Sequence, residues 1–311
     1  MGYPLPRPPA PRIPRPVARR HIYSPRDWGI GMTVCVAAIC DGGTGPSSAI
    51  VTASDRLLTW GYSSSETALK AARLAPTWLT MIAGDDVTAG VEDVIRDARL
   101  ALAEYAEDSP GIVEVQGAIL GAWRNVQTHK AEIAVLNPFD LGMSEFTQTG
   151  RKRFGTATFL EMAERMRVVS KVDAQLLVCG FDNNQVPALL VCEDDVGCRD
   201  YTRADFVAIG SGHTSAIANL AFHGYTRECG IESAVYQVCA AKFMAERAPG
   251  VGSNTLVLCL RDDGTTKWIF KSHLQMIRDL WEEHGRPRNP TDDQVAATIT
   301  PILEQQKWES A

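Results

Sequence analysis

Four residues able to act as nucleophile, base or charge partner stand at strand ends or glycine turns: Thr33, Asp55, Lys70 and Ser211. Thr33 opens the apolar run Thr33-Val34-Cys35-Val36-Ala37-Ala38-Ile39-Cys40, and Asp55 closes a second run that starts at Ala49. Lys70 lies in ALKAARLAPTWLTMIAGDD, and Ser211 sits between Gly210 and Gly212. A threonine hydroxyl is a poor nucleophile at its own pKa and needs a base beside it. Each residue also has a plainer reading. Threonine is a strand former, Asp55 followed by Arg56 reads as a surface ion pair, Lys70 as a solvated turn lysine, and Ser211 as a helix N-cap. His213 and His223 flank one helix with no partner pattern, which marks them as surface or packing residues. Asp85 and Asp86 open a helix and offset its N-terminal dipole more readily than they form a metal or acid pair.

The elements that must position these residues follow from periodicity. Strands are expected at 33–40, 49–55 and 78–83, the first two joined as a hairpin by a long Gly/Pro/Ser connection. Val87, Val91, Val94, Ile95, Ala98 and Leu102 recur at helical spacing over 86–107, and a second helix runs from Ile112 to about Val135 after Ser109-Pro110. The polar, glycine-containing stretch 137–158 reads as a loop or insertion. Strands return at 174–181, 188–192 and 206–209, helices at 214–225 and 231–246, and strands at 255–260 and 267–270. A sheet needs a cover on its free face, and each helix pair supplies one. The expectation is an α+β protein: a four-layer αββα sandwich of two packed antiparallel sheets between helix layers. The last stretch, 272–311, reads as a helical extension with helices at 274–284 and 292–306, able to reach a neighbouring subunit.

Composition narrows the function classes. Net charge is −6, but residues 1–31 hold six Arg and eight Pro against one acidic residue, a balance of +5, which leaves −11 for the remainder. That acidic body argues against nucleic acid as the main partner. The Pro/Arg-rich segment cannot fold alone and is expected to be extended. No stretch approaches the ~18 apolar residues of a membrane span, and the N-terminus lacks the apolar core of a secretory signal; a cytoplasmic location is expected. The eight cysteines form no C-x-x-C pair, and most sit in apolar runs such as LLVCGF. They read as buried thiols of a reducing compartment, with no zinc site among them.

Three features together resemble proteasome β-type subunits and their bacterial relatives of the N-terminal-nucleophile hydrolase type. The first is TVCVAAICDGG followed by AIVTASDRLLTWG, the second is Lys70 ahead of a strand ending in Ala83-Gly84, and the third is DFVAIGSGHTSAIANLAF. The resemblance covers roughly residues 33–268 and rests on the order and separation of the features. It implies that Thr33 is the nucleophile and that its own α-amine, with an ordinary pKa of about 8, is the base. Lys70 would lower the pKa of that amine by like-charge repulsion, Asp55 would hold Lys70 charged and oriented, and Ser211 would hydrogen-bond around the amine. The Gly84 N–H would serve the oxyanion, a kind of donor worth about 3 kcal/mol in other enzymes. Leu58, Ile82 and Asp86 would line the substrate pocket, with no metal and no cofactor. The chain departs from the pattern after its last long helix, where Ala248 stands in place of an aspartate and Ser253 alone remains nearby.

Thr33 follows Met32, so a free amine requires cleavage between them. The expectation is a working protein that begins at Met32 and loses that methionine, with residues 1–31 an upstream extension. The implied function is a threonine-type peptidase or amidohydrolase acting on peptide or unfolded protein within a ring or helical homo-oligomer, with an unfoldase as possible partner. Two rivals stay open: a non-catalytic subunit of a proteasome-like assembly, and an amidase for a small molecule.

Overall fold

The computed structural model describes residues 33–41, 48–60, 63–66, 69–84, 90–105, 109–194 and 196–286. The Pro/Arg-rich segment, Met32, Asp86 and the helix expected at 292–306 lie outside them. In chain order come β1 (Cys35–Cys40), β2 (Ala49–Asp55), β3 (Leu58–Trp60), β4 (Ser63–Ser65), β5 (Ala71–Ala75) and β6 (Trp78–Gly84). Helices α1 (Val91–Ala101), α2 (Ile112–Ala131) and α3 (Met143–Val169) follow, then β7 (Ala174–Phe181), β8 (Pro187–Glu193), β9 (Gly197–Asp200) and β10 (Phe206–Ile209). The described chain closes with α4 (His213–Phe222), α5 (Ile231–Ala245), β11 (Thr255–Arg261), β12 (Thr266–Ile269) and α6 (Lys271–Leu280).

The fold is α+β, with two five-stranded antiparallel sheets. Sheet one runs β10-β1-β2-β11-β12 and sheet two runs β5-β6-β7-β8-β9, while β3 and β4 pair separately. All six residues of β1 are buried, because both of its faces are covered. Cys35, Ala37 and Ile39 pack against Leu79, Met81 and Leu177 of sheet two. Val34, Val36 and Ala38 pack on Leu220, Val238 and Phe243 of α4 and α5. Two buried faces account for a continuous apolar run where a half-buried strand would alternate. Sheet two is covered in turn by α1 and α2, whose Val94, Ile119 and Trp123 meet Trp78, Leu176 and Val178. This helix–sheet–sheet–helix order is compatible with the expected sandwich. In α1, Val91, Val94, Ile95 and Ala98 form the buried stripe, with Glu92 and Asp93 in the first turn and Arg99 in the last, the signs the helix dipole favours.

Three expectations need correction. The stretch 137–158 is largely helical, most of it within α3. Only Phe146, Gly150, Met162 and Met166 of that helix are buried, in a satellite cluster with Leu136 and Leu141, so the sequence shows little apolar periodicity. The helix doubles back at Gly155 (φ 79°, ψ 163°). Phe146 and Phe159 stack with ring centroids 4.7 Å apart, whereas a straight helix would separate them by about 20 Å. Second, not every cysteine is a thiol: Cys192 and Cys198 form a disulfide between facing positions of β8 and β9. Third, β5 and β9 stand where no strand is expected. They are sheet edges rich in small and charged residues (AARLA and GCRD) and lack an apolar run.

The start of the expected C-terminal extension packs on the body. Leu274 of α6 and Trp281 just beyond it join the cluster beneath α5, with the rings of Phe243 and Trp281 5.5 Å apart. Among the described residues, no helix is long and apolar enough to cross a membrane.

Candidate active site

Thr33 stands two residues before the first residue of β1 and is fixed by the turn between β10 and α4. Its carbonyl accepts the Gly212 N–H at 3.2 Å and the Ser211 hydroxyl at 3.2 Å, and its own N–H donates to Ser211 Oγ at 3.2 Å. Gly210 makes this approach possible. Its φ is +86°, and a Cβ there would lie 2.4 Å from the Thr33 carbonyl oxygen. Ser211 is not the N-cap of α4, because that position is Gly212 and no side chain caps the helix.

Asp55, at the end of β2, is completely buried. Its Oδ1 accepts the Val34 N–H at 3.0 Å, and its Oδ2 accepts those of Leu57 at 3.0 Å and Gly252 at 3.3 Å. Lys70 precedes β5 and is held in sheet two by its carbonyl, which accepts the Ile82 N–H at 3.0 Å. Its ammonium crosses to sheet one and donates to Asp55 Oδ1 and Oδ2 at 3.0 and 3.1 Å. The Thr33 hydroxyl closes the triangle, in hydrogen-bond contact with both Asp55 Oδ1 and Lys70 Nζ. All three side chains are buried. A buried pair is tolerated only where further hydrogen bonds satisfy its remaining polar atoms, and the three backbone donors on Asp55 do so.

Cys35, two residues along, is the other nucleophilic type nearby. Burial pushes its thiol well above its ordinary value, against a smaller pull from Lys70, and the thiol contacts the Ile82 carbonyl at 3.4 Å. A thiol kept protonated is no competitor for Thr33.

A cleft of about 690 Å³ opens beside this turn, lined by Gly84, Gly210 and Ser211 on one side and by Asp173, Glu193 and His213 on others. Gly84 has φ +142°, and a Cβ there would lie 2.4 Å from the Ala174 Cα, so no other residue fits the end of β6 unstrained. Glu193 is engaged by Gln175 at 2.9 Å. His213 bonds back to the Gly210 carbonyl at 2.7 Å and lies within the turn.

The structure therefore brings Thr33, Asp55, Lys70 and Ser211 together, and Gly84 lines the same cleft as Ser211. Ile82 is 5% exposed and packs in the apolar layer beneath α1 and α2, away from the cleft lining. Leu58 is in β3, and the environment of its side chain, like all of Asp86, lies outside the description. Ala248 packs against the core under α5, while Ser253 donates its N–H to Glu66 at 3.1 Å. Among the described residues, no group of three or more His, Cys, Asp or Glu could hold a metal ion.

Sequence reasoning missed the support behind Asp55. Lys242 of α5 is 0% exposed, and with Gly252 it forms an inner layer to the site. The available signal was a lysine inside the apolar stretch VCAAKFMA with Glu246 four residues on.

No family model matches the chain, and no curated protein matches it.

Proposed function

We propose that this chain is a threonine-type peptidase or amidohydrolase of the N-terminal-nucleophile kind, similar to proteasome β subunits, with Thr33 as its nucleophile. One observation carries the reading: the Thr33 hydroxyl is shared by Asp55 and Lys70 in a buried triangle, with the Thr33 nitrogen held on Ser211. A strand-forming threonine needs no such environment, and an ion pair of that kind is costly to bury for structure alone.

In this reading, cleavage of the Met32–Thr33 bond frees the α-amine. The amine takes the hydroxyl proton as Oγ1 attacks the substrate carbonyl. The new C–O bond forms as the carbonyl π pair moves onto oxygen, where the Gly84 N–H is the expected donor. The ammonium at Thr33 then gives its proton to the leaving amine as the C–N bond breaks. Water attacks the resulting ester, the amine again accepting a proton, and hydrolysis restores the hydroxyl. Lys70 stabilises the developing charge on Oγ1, while Asp55 holds Lys70 charged. The cleft beside Gly84 and Ser211 is the candidate path for peptide or unfolded-protein substrate, and a homo-oligomer is the proposed working form.

The test pairs a Thr33→Ala protein with the wild type on fluorogenic peptides, with covalent labelling by an electrophilic peptide alongside. Turnover and labelling are expected only in the wild type, whose intact mass should correspond to a chain beginning at Thr33. A mature N-terminus elsewhere defeats this route, and inactivity of both proteins leaves a structural subunit as the better reading.

A further inference from the structure

The inner layer behind Asp55 has a specific chemistry. Lysine carries three N–H donors, and Lys242 finds three acceptors: Glu246 Oε1 at 2.5 Å, the Gly252 carbonyl at 2.8 Å and the Ser253 carbonyl at 3.1 Å. Two of the three belong to the turn that leads into β11. From that same turn the Gly252 N–H donates to Asp55 Oδ2 at 3.3 Å. The turn lies tight against the residues after β2, since a Cβ on Gly252 would fall 2.7 Å from the Leu57 Cβ. Leu57 itself supplies the other N–H to Oδ2. Glu246 does not depend on Lys242 alone. Arg278 of α6 holds both of its oxygens, at 2.6 and 2.9 Å, and stacks over the Phe243 ring at 3.9 Å.

We propose that Lys242 is a positioning residue of the Thr33 site, fixing through the Gly252 and Ser253 carbonyls the turn that presents the Gly252 N–H to Asp55. The contacts run from α6 through Arg278, Glu246, Lys242 and the turn to Asp55, and from there to Lys70 and Thr33. Surface pairing does not explain this arrangement, because Lys242 is fully buried and two of its donors are committed to backbone. The position also makes up for Ala248: the turn lacks an acidic side chain and is anchored by a cation from below.

The inference rests on Thr33 acting as nucleophile, and the test separates the two. Lys242→Met removes the ammonium at similar length and leaves Glu246 with Arg278. On a fluorogenic peptide, kcat is expected to fall at least tenfold with KM within twofold of wild type. Amide exchange across residues 249–254 is expected to accelerate, also in a Thr33→Ala background where no catalysis occurs. Lys242→Gln keeps two N–H donors for the two carbonyls and should restore slow exchange and most of kcat. Unchanged kcat and exchange in a folded Lys242→Met protein overturn the proposal while the nucleophile stands. A wild type with neither turnover nor labelling overturns the nucleophile instead, and the exchange comparison still decides whether Lys242 fixes the turn. Should Lys242→Met fail to fold, Lys242→Gln decides: a tenfold loss of kcat with exchange unchanged sinks the idea, and near-wild-type values of both support it.

Discussion

Lys70 Nζ lies 3.0 and 3.1 Å from the two carboxylate oxygens of Asp55, which ends β2 of one sheet, while Lys70 itself stands just before β5 of the other. The partners are unequal. Asp55 also holds three backbone N–H groups, whereas the ammonium has only Asp55 and the Thr33 hydroxyl as hydrogen-bond acceptors among the described contacts.

Removing either partner should therefore have different costs. Asp55→Ala strands a buried cation and three N–H groups, and is expected to destabilise by about 3–5 kcal/mol. Lys70→Met leaves a carboxylate that keeps its backbone donors, with an expected cost of about 2 kcal/mol. Urea denaturation followed by circular dichroism measures both; equal losses would contradict the asymmetry.

The Gly210→Ala protein tests the turn that holds Thr33. At φ +86° the new methyl would press on the Thr33 carbonyl, with a strain of about 3 kcal/mol or more. A lowered melting temperature and at least tenfold slower labelling of Thr33 are expected together.

Thiol chemistry gives a pH prediction. Burial raises Cys179 and Cys239 to about 12 and Cys259 to about 11, from an ordinary 9.0, and shifts Cys35 upward as well. In the folded protein these groups keep their protons where the unfolded chain loses them. Their contribution is complete below about pH 9 and declines as pH rises towards 11–12. Lys242, lowered by burial, works in the opposite sense, one group against four. The urea midpoint should fall between pH 8.5 and 10.5, and at pH 8 an aromatic disulfide reagent should react first with Cys229, which is only partly buried.

The Cys192–Cys198 link spans six residues of sequence, and a loop that small contributes about 2 kcal/mol by the chain-entropy argument. A Cys192→Ser/Cys198→Ser protein should lose about that much, and a non-reducing peptide map of the wild type should recover the two cysteines joined.

The legible parts of the fold were those buried on both faces. The run of β1 is apolar throughout and those of β7, β8 and β11 are apolar in their middles, because sheet and helices sandwich them, and α1 shows its stripe openly. Edge strands β5 and β9 carry no such mark, and α3 buries too few side chains to show a period. The order of Thr33, Asp55, Lys70 and Ser211 could be read along the chain; their meeting depends on two sheets and could not. The lysine in VCAAKFMA marked Lys242 as unusual, but its role could not be read along the chain. Its burial depends on carbonyls ten and eleven positions on that a turn brings back beneath it. The Cys192–Cys198 pairing likewise depends on the register of β8 against β9.

Because Thr33 and Asp55 ride on one sheet and Lys70 on the other, their triangle acts as a gauge of how the two sheets are seated. A slip of one strand position is about 3.3 Å, enough to carry Lys70 out of reach of both partners. Whatever shifts one sheet against the other therefore moves Lys70 relative to the Thr33 hydroxyl, with no contact to the cleft.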